Sequence, residues 1–319
     1  MNGKRIFVTG ASGCIGHYVT ETLIRETGHE IYLLVRDPDK LQFDYEQRPG
    51  VTILQGDLLD IDRFGDILPS MNCAILAAAA WGGQRETFDV NVVKLSRTLD
   101  LLDPKVCEQV IYFSTASLLD REGNVLREPA HLGTDYIRSK YDGLTQVKRS
   151  QFRDRATILF PTLVLGGDDN KPYSHLSSGL PGVVKWIDLM RFLQAEGSFH
   201  FIHALDIARV VAYLVDRPPG ERREYVLGNA PLTVNRAIEE VCAYLGKRIY
   251  IRIPLSSWLS DLLISAFNIQ MSPWDRFCLQ YRHFTYKNAV NPETFGLPVY
   301  CPTFSDVLKV SGIRSAKGK

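Results

Sequence analysis

The stretch FVTGASGCIG, residues 7–16, follows directly on the first apolar run and places glycines at positions 10, 13 and 16. A glycine inside a strand or helix costs roughly 0.5–1 kcal/mol relative to alanine. Three at this spacing imply a demand on the backbone itself. In a strand–turn–helix setting each has a mechanical role: Gly10 permits the tight turn out of the strand, Gly13 lets the backbone approach a pyrophosphate, and Gly16 lets the helix pack closely on the sheet. Phosphates then sit at the helix N-terminus, where free N–H groups and the helix dipole favour anions. The expected cofactor contacts of this turn are Gly10, Ser12, Gly13, Cys14, Ile15 and Gly16.

The chain continues by alternating strands and helices. RIFVTG, EIYLLV, VTILQGD, CAILAAAA, QVIYFSTAS and ATILFPTLVLG read as six strands, with helices from about Ile15 to Glu26, around Val90–Leu102 and across Tyr136–Lys140. Runs this rich in Val and Ile suit strands buried on both faces. The alternation predicts an α/β fold, a Rossmann-type doubly wound parallel sheet with a smaller C-terminal α+β substrate region. The NAD(P)-binding domain is expected over 1–165, completed by about 199–220, and the substrate-binding region over 166–198 and 221–319. Residues 166–182, GGDDNKPYSHLSSGLPG, read as a loop lining something, and the apolar, amphipathic segment 256–267 reads as a core or lid helix.

The second strand ends LLVRDP. An acid there would bind the ribose 2′-OH of NAD, whereas an arginine accommodates the 2′-phosphate of NADP. The register puts Val35 at the acid's usual place with Arg36 next, so Arg36 is the expected phosphate clamp and the expected cofactor is NADP. NAD stays possible on the competing reading, in which Asp37 bonds the ribose. Asp57 and Leu58, in QGDLLD, fall near the adenine, with Asp57 as a helix N-cap the alternative. YIRSK carries Tyr136 and Lys140 at i and i+4, on one helix face. A lysine beside a tyrosine stabilises the phenolate and lowers a pKa that starts near 10, which suits the phenol to proton transfer. Arg138 points away from that face. Thr115 in STAS is the expected hydrogen-bond donor to the substrate oxygen. Ser114 and Ser117 are its rivals, and simple backbone capping is the alternative for all three.

These motifs together resemble the extended short-chain dehydrogenase/reductases of the NAD(P)-dependent epimerase/dehydratase superfamily. TGASGCIG, GDL at 56–58, AAAA at 77–80, NVVKLSRTL, STAS, YIRSK, FPTLVLGG and FIHALDIARVV run in family order, and YKNAVNPETFGLP is similar to the closing segment. The resemblance implies that Tyr136 exchanges a proton with the substrate oxygen, Lys140 holds the nicotinamide ribose and tunes Tyr136, and Thr115 orients the substrate. It further implies that Ala77, Ala78 and Ala79 pass close to the cofactor, Asn91 braces the middle of the site, and Pro161 lies among the cofactor contacts. Nucleotide-sugar dehydratases of this kind carry Asp-Glu after the active-site threonine, whereas Ala116 and Ser117 stand here. LFPTLVLGG lacks the Arg and Asn of many epimerases and looks more like the dihydroflavonol-reductase and hydroxysteroid-dehydrogenase branches, as does VRDP.

The expected activity is therefore an NADP-dependent interconversion of carbonyl and hydroxyl on a moderately apolar metabolite. The loop 166–182 and the segments around Trp186, Trp258 and Trp274 are expected to line a partly apolar pocket. A nucleotide-sugar epimerase with tightly bound NAD is one alternative, with Lys185, Arg191, Arg252, Arg276 and Arg282 available for a diphosphate. A cofactor-binding scaffold without turnover is the other. A net charge of +1 without a basic block argues against nucleic acid or an anionic membrane as partner, leaving the tail Arg314–Lys319 as a solvated end. The six cysteines form no C-x-x-C pair or His/Cys cluster, so no metal site is expected and free thiols are. With no signal-like start and no apolar run of roughly 18 residues, the expectation is a cytoplasmic monomer or homodimer. His203 with Asp206 is expected to tie the returning segment to the core.

Overall fold

The computed structural model describes residues 3–217, 220–255 and 270–316. The apolar runs pair side by side into one sheet. Its strands are β1 (Arg5–Thr9), β2 (Glu30–Val35), β3 (Val51–Gln55), β4 (Cys73–Leu76), β5 (Gln109–Phe113) and β6 (Ala156–Pro161). β7 (Leu163–Leu165), β8 (Leu193–Gln194), β9 (Ser198–Phe199) and β10 (Phe201–His203) lie outside it, and β11 (Glu224–Leu227) rejoins it. β12 (Leu232–Thr233), β13 (Ile253–Pro254) and β14 (His283–Phe284) again stand apart, whereas β15 (Ala289–Val290) forms the last edge. The sheet order is β3-β2-β1-β4-β5-β6-β11-β15, every pairing parallel. The order reverses between β1 and β4, where Thr9 faces Leu76. In such sheets the crevice beyond the strand ends at this reversal is where ligands bind.

Burial on both faces follows from the helices. α1 (Cys14–Glu26) and α7 (Ala204–Val215) cover one face, packing Val19, Leu23, Ile207 and Val211 on Ile6 and Val8. α3 (Leu95–Leu101) and α5 (Asp135–Arg149) cover the other, where Leu99, Leu144 and Val147 share a core with Phe7. α2 (Gln84–Phe88) runs through a π-helical turn, Asp89–Lys94, into α3, so the helix expected around Val90–Leu102 begins earlier and changes pitch. The strand expected in CAILAAAA ends at Leu76, leaving Ala77–Ala80 as a loop. The single sixth strand expected in ATILFPTLVLG is two, because β7 leaves the sheet after Pro161 to pair with β10.

The loop expected over 166–182 holds only to Ser174. α6 (His175–Met190) starts there, capped by the Ser174 hydroxyl, and runs through Pro181. Leu180 and Ile187 anchor it in two small separate cores, one with Leu165 and Phe201, the other with Ile238 and Val241 of α8 (Val234–Tyr244). Trp186 lies on the outer side of α6, 59% exposed. Trp274, on α9 (Pro273–Tyr281), is buried in the core. Trp258 and the segment 256–267 lie outside the described residues. Buried Asp206 accepts from the Tyr300 and Cys301 amides at 2.6 and 3.2 Å, tying down the chain just before α10 (Phe304–Val310). His203 instead caps α7 through the Leu205 amide. Among the described residues no helix is long and apolar enough to cross a membrane.

Candidate active site

The three glycines differ in what constrains them. Gly10 has φ +77°, and a Cβ there would lie 2.6 Å from the Ala78 nitrogen. A Cβ on Gly16 would lie 2.0 Å from the Gly10 oxygen, so α1 can approach the turn only with glycine at that position. Gly13 is different: its φ is −87°, and its Cβ would meet nothing closer than the Gly10 oxygen at 3.4 Å. The fold itself does not require glycine at 13. Gly13 is also the N-cap of α1, and no side chain caps that helix end. An uncapped helix N-terminus with room above it fits an anionic group. Cys14 is packed against this turn with its Sγ facing Gly166, and burial pushes its thiol up to about 12.

The remaining candidate residues come to the same ends of the strands. Thr9 Oγ1 accepts from the Ala78 amide at 3.3 Å, joining β1 to the alanine loop. Asn91 sits in the π-helical turn. Its side chain accepts from the Ala80 amide at 2.8 Å and donates to the Ala80 carbonyl and Ser139 hydroxyl at 3.0 and 2.9 Å. Leu58, Ala78, Asn91 and Lys140 line one partly open pocket, with the buried Tyr112 hydroxyl, unpartnered among the described residues, on its wall. Asp57 follows β3 and accepts from the Leu59 amide at 2.9 Å, so it does cap the turn at Leu58. Its second oxygen lies 3.6 Å from Arg36, whose side chain is 75% exposed beyond β2. Asp37 is engaged elsewhere, accepting from the Asp39 amide at 3.2 Å. Pro161 closes β6 at the same sheet end.

Tyr136 and Lys140 lie on the first turns of α5, whose N-terminus is capped by Thr134. The Lys140 ammonium donates to the Phe113 carbonyl at 2.9 Å and lies 5.8 Å from the Tyr136 ring centre. The expected lowering of the phenol pKa is not what this geometry produces. Burial pushes Tyr136 up, while Lys140, itself buried, is pushed down to about 8. Desolvation by burial is the cause of both shifts. Thr115 caps the short turn Ala116–Leu118, its oxygen accepting from the Ser117 amide at 3.3 Å. Ser114 is buried, with its hydroxyl unpartnered. Arg138 pairs with Asp135 at 2.6 Å on the outer face.

The Lys140 shift has a measurable consequence. The unfolded chain keeps that proton to about pH 10.4, whereas the folded chain sheds it near 8. Between those values the unfolded state binds more protons, so stability rises with pH. Denaturant melts should show wild type gaining roughly 1–3 kcal/mol on Lys140→Met between about pH 7.5 and 10.5. Parallel curves for the two proteins would contradict the lowered Lys140 pKa.

Two contributors escaped the sequence reading. Trp81, directly after the alanine loop, stacks on Tyr136 with ring centres 3.7 Å apart. A large aromatic immediately after four alanines at a strand end is a signal that could have found it. Tyr286, from the far C-terminal part, donates its hydroxyl to the Ala116 carbonyl at 2.6 Å and so braces the turn after Thr115. No local pattern marks a contact across 170 residues. Among the described residues no group of His, Cys, Asp and Glu is arranged to hold a metal ion.

Comparison with known proteins agrees with this geometry. The pattern of the NAD dependent epimerase/dehydratase family matches residues 6–228. The chain belongs to that family and is an enzyme of the NAD(P)-dependent oxidoreductase type. Quinone oxidoreductase 2 of Escherichia coli (strain K12) is 32% identical over 93 residues, 29% of this chain and 32% of that protein. The chain thus matches about a third of that relative's length. Two solved structures share the fold along nearly all of their length. The protein gox2253 superposes with a TM-score of 0.70 at 19% identity, covering 98% of each chain. A UDP-glucuronic acid 4-epimerase of Bacillus cereus, bound to NAD and a fluorinated UDP-sugar, does so at 0.64 and 15% identity, covering 97% of this chain and 98% of its own.

Proposed function

We propose that the chain is an NADP-dependent oxidoreductase that interconverts a carbonyl and a hydroxyl on a moderately apolar small metabolite. The observation that carries this reading is the end of β2. Arg36 projects there into solvent beside Asp57, while its rival, Asp37, accepts from the Asp39 amide through one oxygen and faces Lys40 at 4.0 Å through the other. A guanidinium in that place suits a 2′-phosphate. The glycine turn at Gly10, Ser12, Gly13, Cys14, Ile15 and Gly16 would hold the pyrophosphate. Asp57 and Leu58 would flank the adenine, and Ala77–Ala79, Asn91, Lys140 and Pro161 would surround the nicotinamide half. The substrate would be held by 166–198 and by those parts of 221–319 that lie outside the main sheet.

When bound, the nicotinamide supplies or accepts the hydride. Tyr136 gives the substrate oxygen its proton, or removes it in the reverse direction. Thr115 keeps its hydroxyl hydrogen for that oxygen while its lone pair accepts from Ser117. Lys140 holds positive charge behind the tyrosine and a donor toward the cofactor ribose. With its pKa raised by burial, Tyr136 stays protonated across neutral pH and would enter the reduction as the proton donor.

The name of the curated relative, a quinone oxidoreductase, supports a carbonyl substrate. A nucleotide-sugar epimerase finds less support. Three of the five cations available for a diphosphate are already paired: Arg191 with Asp188, Arg252 with Glu239, and Arg282 with Glu196. Equilibrium binding of NADPH and NADH, followed by fluorescence, tests the cofactor assignment. NADPH should bind about tenfold or more tighter, and Arg36→Ala should erase the difference, as expected for loss of one charge-assisted fork. Tighter binding of NADH would overturn it.

A further inference from the structure

Trp81 is the largest exposed apolar side chain beside the tyrosine. Its indole lies parallel to the Tyr136 ring, the planes 10° apart at 3.7 Å, and His175 at the start of α6 touches it at 4.5 Å with a tilt of 51°. The indole is nevertheless 56% exposed. It links the helix that carries the tyrosine to the helix that opens the substrate region.

The two residues that follow it are glycines, the second of which, Gly83, is the N-cap of α2, its carbonyl accepting from the Thr87 amide and hydroxyl at 3.1 and 3.0 Å. Neither Gly82 nor Gly83 has a positive φ. A Cβ on Gly83 would meet nothing within 4 Å, and one on Gly82 would meet only the carboxylate end of Glu86. Glycine at such positions contributes backbone freedom and little else. Gly82 and Gly83 therefore place the least restricted backbone of this loop directly beside the ring that covers Tyr136.

We propose that Trp81 is the specificity-determining residue of the site. Its indole swings off Tyr136 on the Gly82–Gly83 pair, and its face then carries a flat, unsaturated group adjoining the reacting carbonyl. Opening gives up a face-to-face aromatic contact. A flat group entering on the indole restores that contact, whereas a puckered ring with axial hydrogens does not. The substrate class that follows is aryl or conjugated carbonyl compounds. This inference rests on the carbonyl–hydroxyl reading above.

Acetophenone and cyclohexyl methyl ketone carry the same acetyl group on a flat and a puckered six-membered ring. Their binding to the NADP⁺ complex, measured by titration calorimetry, tests the proposal without turnover. Acetophenone should bind wild type about tenfold tighter, near the upper range for one aromatic contact. Trp81→Phe should keep most of that preference, and Trp81→Ala should abolish it with NADP⁺ affinity unchanged. Equal affinities, a cyclohexyl preference, no binding of either ketone, or a preference surviving in Trp81→Ala would each overturn the proposal. Selective binding of acetophenone without any NADPH oxidation would instead count against the oxidoreductase reading and leave the role of Trp81 standing.

Discussion

Tyr136→Phe should lower turnover by about 10²–10⁴-fold, the range expected for loss of a positioned acid–base group, while NADPH binds as before. The substitution removes one oxygen and keeps the ring, so the stack with Trp81 and the packing of α5 on the core survive. Steady-state NADPH oxidation and a cofactor titration on the same preparation separate the two effects. A variant that retains full biological activity would favour the scaffold reading, because a scaffold has no use for the phenol. Parallel losses of cofactor affinity and turnover would point to a binding role for Tyr136 instead.

Gly13→Ala should leave the melting transition within about 0.5 kcal/mol of wild type, because its backbone is ordinary and the small gain from a stiffer unfolded chain offsets a slightly poorer cap. NADPH affinity should nevertheless fall about tenfold or more, because the added methyl enters space reserved for the phosphates. Gly16→Ala should behave in the opposite order. Its Cβ would lie 2.0 Å from a backbone oxygen, and overpacking against atoms that cannot step aside costs about 1–3 kcal/mol or more. Thermal or urea melts with and without cofactor distinguish the pair. Equal destabilisation by both variants would mean that Gly13 serves the fold and not a ligand.

The contrast between these glycines shows where sequence was sufficient. The spacing at 10, 13 and 16 is local, and the strand–turn–helix around it follows from residues within one turn of each other. The same holds for Tyr136 and Lys140, which the helical repeat alone places on one face, and for the capping of Asp57. The sheet's two outer strands were less legible. β11 and β15 are four and two residues long, and only pairing, of β11 with β6 and of β15 with β11, makes them part of the sheet. Gly179, Pro181 and Gly182 made 166–182 look like a loop, yet burial of Leu180 and Ile187 in two small cores outweighs those breakers over 175–190. The local sign of that helix was present in Ser174 and Ser177, a cap at the usual spacing.

The chemistry of Tyr136 and Lys140 was readable as proximity but not as energetics. Spacing places an ammonium beside a phenol. It does not say that the ammonium will donate to Phe113 across 27 residues, or that burial will shift both groups toward their neutral forms. Trp81 belongs to the same class of information. Its stack depends on where the loop after β4 is held, by Thr9 on one side and Asn91 on the other.

Loss of NADPH absorbance measures net hydride transfer to a carbonyl directly. Wild type is mixed with NADPH and a panel of aryl and alkyl ketones, with UDP-sugars run in parallel for epimerised product. NADPH should be consumed mole for mole with alcohol formed, with no epimerisation. Epimerised sugar with no net change in cofactor would contradict the oxidoreductase reading.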